Sequence, residues 1–352
     1  MTASTAPGCG LPFVPQAAGG ELLGSWLLRI ADVYGLSLRS FLSRLGAWPY
    51  PGRVLPHWFA LRCVDLQLDL LANAVRLSPT ELAATEPPGC RRHWPQELGL
   101  CLDCLDAAAD LGQPHFWSRY WMHPLATVCR LHGTWLTPVA AKDLARIRHA
   151  TDFVGLADRL RSSHEQEQWH VGEGPLDPTH ALWLQSVCVD RTGELPPWGR
   201  TPVETMLRIV DTLARALMAA HAADPGQGPL GWCNESCEWS VSIFTLEGAS
   251  GQRSQLTLPV RLRHRQKLLN SVGGVLRQGA LTRHGLDVGS PALTRWLASA
   301  STAHWPAAAL AWICPQAAEL VQRQEELRVE LGVSPRYFKA CSALMAGAFA
   351  AS

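Results

Sequence analysis

Apolar residues at Leu22, Leu23, Trp26, Leu27, Ile30 and Val33 recur at the three-and-four spacing of a helix that buries one face. Gly35 ends that helix, since glycine takes positive φ at no steric cost, and Ser37 is placed to cap a second helix over 38–45. Ala31, Gly35 and Phe41 stand where a helix-turn-helix needs a small residue at the crossing, a glycine in the turn and an apolar grip on the first helix. Arg39, Ser40, Ser43 and Arg44 then line the exposed side of the second helix, which makes Arg39 and Arg44 candidate nucleic-acid contacts. A packed helical hairpin with solvated arginines has the same pattern, so both readings stay open.

Further along, residues 1–20 are rich in Pro, Gly and Ala and read as an extended lead-in, while Trp48-Pro-Tyr-Pro-Gly52 is a break. Residues 57–75 predict a helix. Ser78-Pro79-Thr80-Glu81 starts the next one with a capping serine, a proline at the first helical position and a reciprocal glutamate. The stretch from Lys142 to Leu160 reads as a surface helix. From Pro202 to Ala223 an amphipathic helix runs through Val203, Leu207, Val210, Leu213, Ala214 and Leu217, followed by a joint near 224–231. Val241 to Leu246 and Gln255 to Val260 alternate as a short hairpin, with Pro259 weakening the second strand. The densest basic run then opens a helix containing Leu262, Leu268, Leu269 and Val272. Its charges, Arg261, Arg263, Arg265 and Lys267, are expected along one side, as a solvated face or as a phosphate-binding patch. Ser290-Pro291 and Ser334-Pro335 start further helices in the last third.

Chemistry enters with the cysteines. Cys101-Leu-Asp-Cys104 is answered by Cys129-Arg-Leu-His132 across a segment that holds Phe116, Trp117, Tyr120 and Trp121. Two close pairs of soft ligands separated by one excursion of chain are what a tetrahedral zinc site needs. Closing such a loop costs on the order of 3 kcal/mol, against roughly 10–16 kcal/mol from a structural zinc. Metal binding wins, and the aromatic residues read as a small core that the metal locks in place. Buried, metal-free cysteines are the plain alternative. The predicted cofactor is one structural Zn2+ on Cys101, Cys104, Cys129 and His132. A catalytic zinc would need an open coordination position, and a deaminase would need a His-x-Glu upstream and a proline where Leu100 stands. Cys90 and His93 repeat the Cys-x-x-His spacing without a partner pair, and Cys233 and Cys237 suit a metal no better than one helix face.

The fold class is therefore mainly α, with helix-turn-helix units around a small zinc-ribbon or finger module and a helical C-terminal domain. The expected division is 1–88 for the N-terminal helix-turn-helix domain, 89–140 for the zinc module, 141–230 for a helical connector and 231–352 for the C-terminal domain. Net charge is only +1, so attraction to nucleic acid must come from local patches. The eleven cysteines are an odd number, and there is no secretory leader or membrane-length apolar run, which points to a reducing cytoplasm. Nucleophile-base pairs, phosphate-cradling loops and paired acids are all missing, so a binding module is favoured over a metal-dependent enzyme.

Three runs carry a resemblance: Cys101-Leu-Asp-Cys104-Leu, Phe116-Trp117-Ser-Arg-Tyr-Trp121-Met-His-Pro-Leu125, and Val128-Cys129-Arg-Leu-His132-Gly-Thr-Trp-Leu136. In order, spacing and aromatic content they resemble the TniQ/TnsD family of transposon target-selection proteins. The opening Gly20-Glu21-Leu22-Leu23 and Ser25-Trp26-Leu27-Leu28-Arg29 resembles the same family, with Leu22 in place of its serine. Leu102 replaces the family's proline, and the further cysteine pair that many members carry after His-Gly is missing. The resemblance implies a cytoplasmic bacterial, non-enzymatic adaptor in transposition and DNA recombination. It would link a target-recognition element to an AAA+ transposition ATPase (TnsC-like). That element would be a CRISPR Cascade ribonucleoprotein, commonly bound by a homodimer, or attachment-site DNA read directly. A stand-alone zinc-containing helix-turn-helix DNA-binding protein is the alternative; the near-neutral charge favours the adaptor.

Overall fold

The computed structural model describes residues 10–50, 55–86, 96–168, 177–190, 203–223, 240–247 and 253–278, together with Gln322 and Glu326. The chain divides into two units. One comprises Met1–Pro178, Phe244–Glu247 and Pro259–Gln266; the other comprises Thr179–Ile243, Gly248–Leu258 and Lys267–Ser352.

In the first unit the centre is helix α1 (Leu23–Val33), whose residues are buried continuously from Leu23 to Ala31. It is buried nearly all round, its polar Ser25 and Arg29 included, so it is a core helix rather than the one-faced helix its spacing suggests. Val33 is 49% exposed, because the buried stripe leaves Ile30 by a step of four and reaches Tyr34 instead. The Tyr34 ring stacks on Phe41 at 6.4 Å, and its hydroxyl donates to the Phe13 carbonyl at 2.6 Å. Gly35, at φ +62°, turns the chain into α2 (Leu38–Arg44), where Ser37 Oγ accepts from the Ser40 N–H at 3.2 Å. Leu38, Phe41 and Leu42 face inward; Arg39, Ser40, Ser43 and Arg44 are exposed.

The helix expected over 57–75 is instead two 3-10 turns, Trp58–Ala60 and Cys63–Asp65, before α3 (Leu68–Val75). Trp58, Phe59 and Leu61 are all buried. Trp58 Nε1 donates to the Leu144 carbonyl at 3.0 Å, and its ring meets Phe153 edge-on at 5.3 Å and Trp117 at 5.9 Å. In α4 (Pro79–Ala83) the reciprocal cap forms as expected. Ser78 Oγ accepts from the Glu81 N–H at 3.2 Å, while Glu81 Oε2 accepts from the Ser78 N–H at 2.7 Å.

Strand β1 (Glu97–Leu100) pairs antiparallel with β2 (Thr137–Ala140), in the register Glu97↔Ala140 to Leu100↔Thr137. Between them run α5 (Leu102–Asp110) and a 3-10 turn, Arg119–Met122. The aromatic segment does not form a small core of its own. Trp117 packs on Trp121 and Trp58, its N–H donates to Ser25 Oγ at 3.0 Å, and its carbonyl accepts from the Leu22 N–H at 2.8 Å. It therefore shares the α1 core. The surface helix expected over 142–160 is split into α6 (Ala141–Leu144) and α7 (Asp152–Gln168). The turn between them is held by Asp152 Oδ2, which accepts from the N–H groups of Arg148 and His149 at 2.7 and 3.0 Å. Asp32 of α1 also accepts there, from the Ala150 N–H at 2.5 Å.

The second unit contains α8 (Thr179–Cys188), α9 (Val203–Ala223) and the later turns of α10 (Leu262–Gln278). Buried Leu207, Val210, Leu213, Ala214 and Leu217 of α9, and Leu268, Leu269 and Val272 of α10, follow the sequence pattern. A β-carbon on Gly273 would lie 2.2 Å from the His180 carbonyl oxygen, so α10 meets α8 where the helix has no side chain. Strands β3 (Val241–Glu247) and β4 (Arg253–Pro259) form a two-stranded sheet. Cys90, His93, Cys233, Cys237 and the helices expected around Ser290 and Ser334 lie outside the described residues. Among the described residues no helix is long and apolar enough to cross a membrane.

Candidate metal centre

The first ligand pair sits where β1 runs into α5. Cys101 is the residue before the helix and Cys104 lies in its first turn, so a two-residue spacer turns both sulfurs to one side. The second pair is on a tight hairpin closed by a bridge between Val128 and Trp135. There the Gly133 N–H donates to the Cys129 carbonyl at 2.8 Å, with Gly133 at φ +67° making the reversal. The β1–β2 pairing brings the two pairs together. His132 Nδ1 lies 3.4 Å from Cys101 Sγ, 3.3 Å from Cys104 Sγ and 3.6 Å from Cys129 Sγ, and Cys104 and Cys129 sulfurs are 3.5 Å apart. All four donor atoms lie within 4.8 Å of one another. Tetrahedral zinc bonds of about 2.3 Å to sulfur and 2.0 Å to nitrogen place their ligands roughly 3.5–3.8 Å apart. The residues fit a single four-coordinate ion.

Electrostatics support the same use. The Cys129 thiol is held far below its ordinary range, by hydrogen bonds from the Cys101 and Cys104 thiols and from the backbone N–H groups of His132 and Leu131. Cys104 is pushed far up by its hydrogen bonds to Cys101 and Cys129 and by burial. Three thiols this close cannot all ionise unless a cation compensates them. The first turn of α5 adds the positive end of a helix beside Cys101 and Cys104. Cys101 and Cys129 are buried, Cys104 is half-buried and His132 is exposed. Thr134 extends the site outward, its Oγ1 donating to Asp103 at 2.8 Å and lying 3.9 Å from Cys101 Sγ. His123, also between the two pairs, is no ligand. It is buried, its Nδ1 accepts from the Leu125 N–H at 3.2 Å, and desolvation lowers its pKa to about 4.

Residues 12–136, which include all four donors and the whole of α1 and α2, match the family model for TniQ. Over these residues the chain is similar to the TniQ family. No curated protein and no solved structure matches it. The TniQ match falls entirely within the first unit.

The candidate nucleic-acid residues are divided by the structure. Arg39 and Arg44 project from α2 inside the TniQ match, and both are exposed. Arg261 and Arg263 are exposed and Lys267 is half-buried. Arg265 is different: it is 2% exposed, its Nη2 donates to the Glu97 carbonyl at 2.6 Å, and its guanidinium lies over the Phe244 ring at 5.9 Å. The expectation that all four charges of this run share a displayed side is corrected for Arg265. Lying three residues after Leu262, it falls on the buried face with Leu262, Leu268 and Leu269. The sequence alone also shows no sign of Glu97, inside the metal module, or of Gln266, which touches the module from outside it, because nothing in their neighbouring residues marks them.

Proposed function

We propose that this protein is a non-enzymatic target-site selection factor for DNA transposition, holding one structural Zn2+. A TniQ domain implies a target-selection role in transposition, and that match is the observation carrying the reading. Zinc is favoured because three thiolates and an imidazole form a soft, tetrahedral set that leaves no position for substrate. In this reading the metal braces the fold, and the protein links a target-recognition element, a Cascade ribonucleoprotein or attachment-site DNA, to an AAA+ transposition ATPase. Reconstituted transposition with the cognate ATPase and transposase tests the role: adding the protein should concentrate insertions at one site. Insertions with the same distribution in its absence would overturn it. For the metal, elemental analysis should find one zinc in the wild type and a deficit in Cys104→Ser.

The exposed Arg39, Ser40, Ser43 and Arg44 on α2 favour a second reading, direct recognition of DNA through a helix-turn-helix. Under it, Arg39→Ala with Arg44→Ala lowers affinity for a cognate attachment site and leaves the melting temperature unchanged.

A further inference from the structure

The four metal ligands come from two chain segments, and one turn of a distant helix grips both. The Leu262 N–H at the start of α10 donates to Glu97 Oε2 at 2.8 Å, and Arg265 Nη2 donates to the Glu97 carbonyl at 2.6 Å. Glu97 is the first residue of β1, the strand whose last residue, Leu100, precedes Cys101. One residue further on, Gln266 Nε2 donates to the Leu136 carbonyl at 2.7 Å and reaches the Thr127 carbonyl at 3.5 Å. Thr127 and Leu136 are the two ends of the hairpin that carries Cys129 and His132, and they are joined by a 2.9 Å hydrogen bond from the Leu136 N–H to the Thr127 carbonyl. Each ligand pair is thus held at its base from the same side.

We infer that the first turn of α10 is a clamp that positions the metal ligands, with Glu97, Arg265 and Gln266 as its positioning residues. It lies beyond residue 136, where the TniQ match ends, so the metal centre of this protein is completed by chain outside its TniQ domain. The inference rests on the metal reading above. Arg265 and Gln266 address backbone carbonyls and the Leu262 N–H addresses the Glu97 carboxylate, so these bonds fix the spacing of the two segments without touching the ion. Partners of this kind beyond the ligands tune affinity by holding ligand geometry. Binding linkage makes the effect reciprocal: if the clamp tightens metal binding, the metal tightens the clamp.

Two measurements on the full chain test this. The first is the rate of zinc release to a chromophoric chelator, with Co2+-substituted protein reporting ligand geometry through its visible bands. Gln266→Ala should release zinc on the order of tenfold faster. Gln266→Glu, which keeps the length but sets an acceptor against two carbonyls, should do no better. Arg261→Ala, an exposed change in the same turn, should behave as wild type. Equal rates for all variants would overturn the clamp. The second, which needs no variant, is amide exchange with and without zinc. Removing zinc should deprotect 262–266 more than α4. Unchanged exchange there, or uniform loss across the chain, would also overturn it. Wild-type protein that takes up neither Zn2+ nor Co2+ defeats the metal reading itself, an outcome distinct from equal release rates in a metal-loaded protein.

Discussion

Replacing Arg29 with methionine should cost far more than an ordinary ion pair does. Arg29 is 8% exposed and the Glu21 side chain is fully buried. The guanidinium grips the carboxylate with both arms, Nε to Oε1 at 2.9 Å and Nη2 to Oε2 at 2.6 Å. Ser25 Oγ and the Ala18 N–H donate to the same carboxylate at 3.0 Å each, and Arg29 Nη2 also reaches the Gln16 carbonyl at 2.8 Å. Ser25 in turn accepts from the Trp117 N–H, so the network ties the lead-in, α1 and the aromatic segment together. Arg29→Met leaves the carboxylate two neutral donors and no counter-charge, which costs about 3–5 kcal/mol. Glu21→Gln keeps the Ser25 and Ala18 contacts and strands the guanidinium, at a cost of about 3 kcal/mol. The double variant removes both charges, and its loss should be about 2 kcal/mol, well short of the sum, giving a coupling of about 4 kcal/mol or more. Urea unfolding at neutral pH with saturating zinc measures all three, provided the m-values agree. Losses below about 1 kcal/mol, or a double variant that is simply additive, would refute the reasoning, since that is how a solvated surface pair behaves.

The other tests are simpler. Gly24→Ala should yield little folded protein, because its β-carbon would lie 1.7 Å from the Trp58 carbonyl oxygen, and soluble yield with circular dichroism reads this out. Ser78→Ala removes one half of the cap on α4 and should cost about 1 kcal/mol in urea unfolding. His123 is neutral when folded down to about pH 4 against an ordinary 6.5. The unfolded chain therefore takes up a proton first as pH falls, and stability present above pH 6.5 is lost progressively down to pH 4, by about 3 kcal/mol. His123→Asn keeps an acceptor for the Leu125 N–H and should flatten that part of the pH profile. For nucleic acid, Arg261→Ala with Arg263→Ala should weaken binding equally across sequences and flatten its salt dependence, while an unchanged slope would remove this patch.

What the sequence made legible was whatever its own neighbours decide. The Gly35 turn, the Ser37 cap and the Ser78–Glu81 box are settled by residues within four positions of each other, and all form as read. The metal set belongs to the same class, because the chelating spacing of each pair is local and only the meeting of the pairs is not. The failures share a cause too. Trp58 abandons the helix its segment suggests because Trp117, Phe153 and the Leu144 carbonyl, all remote in sequence, take its ring and its N–H. Val33 turns outward because Tyr34, one residue on, has Phe41 and the Phe13 carbonyl as partners.

Arg265 carries this distinction into function. A run of alternating basic residues at the start of a helix reads as one charged surface, yet helical geometry sends position 265 to the face of Leu262 and Leu269. Burying a guanidinium there is made tolerable in part by the Glu97 carbonyl and the Phe244 ring, which receive it. A double alanine variant that included Arg265 would lose a contact at the base of β1 along with a charge, and a drop in nucleic-acid binding would then report misfolding as readily as a lost phosphate contact. Confining the phosphate test to Arg261 and Arg263 separates the two effects. Arg265→Ala becomes a probe of the metal centre instead, expected to speed zinc release while leaving the salt slope of nucleic-acid binding as it was.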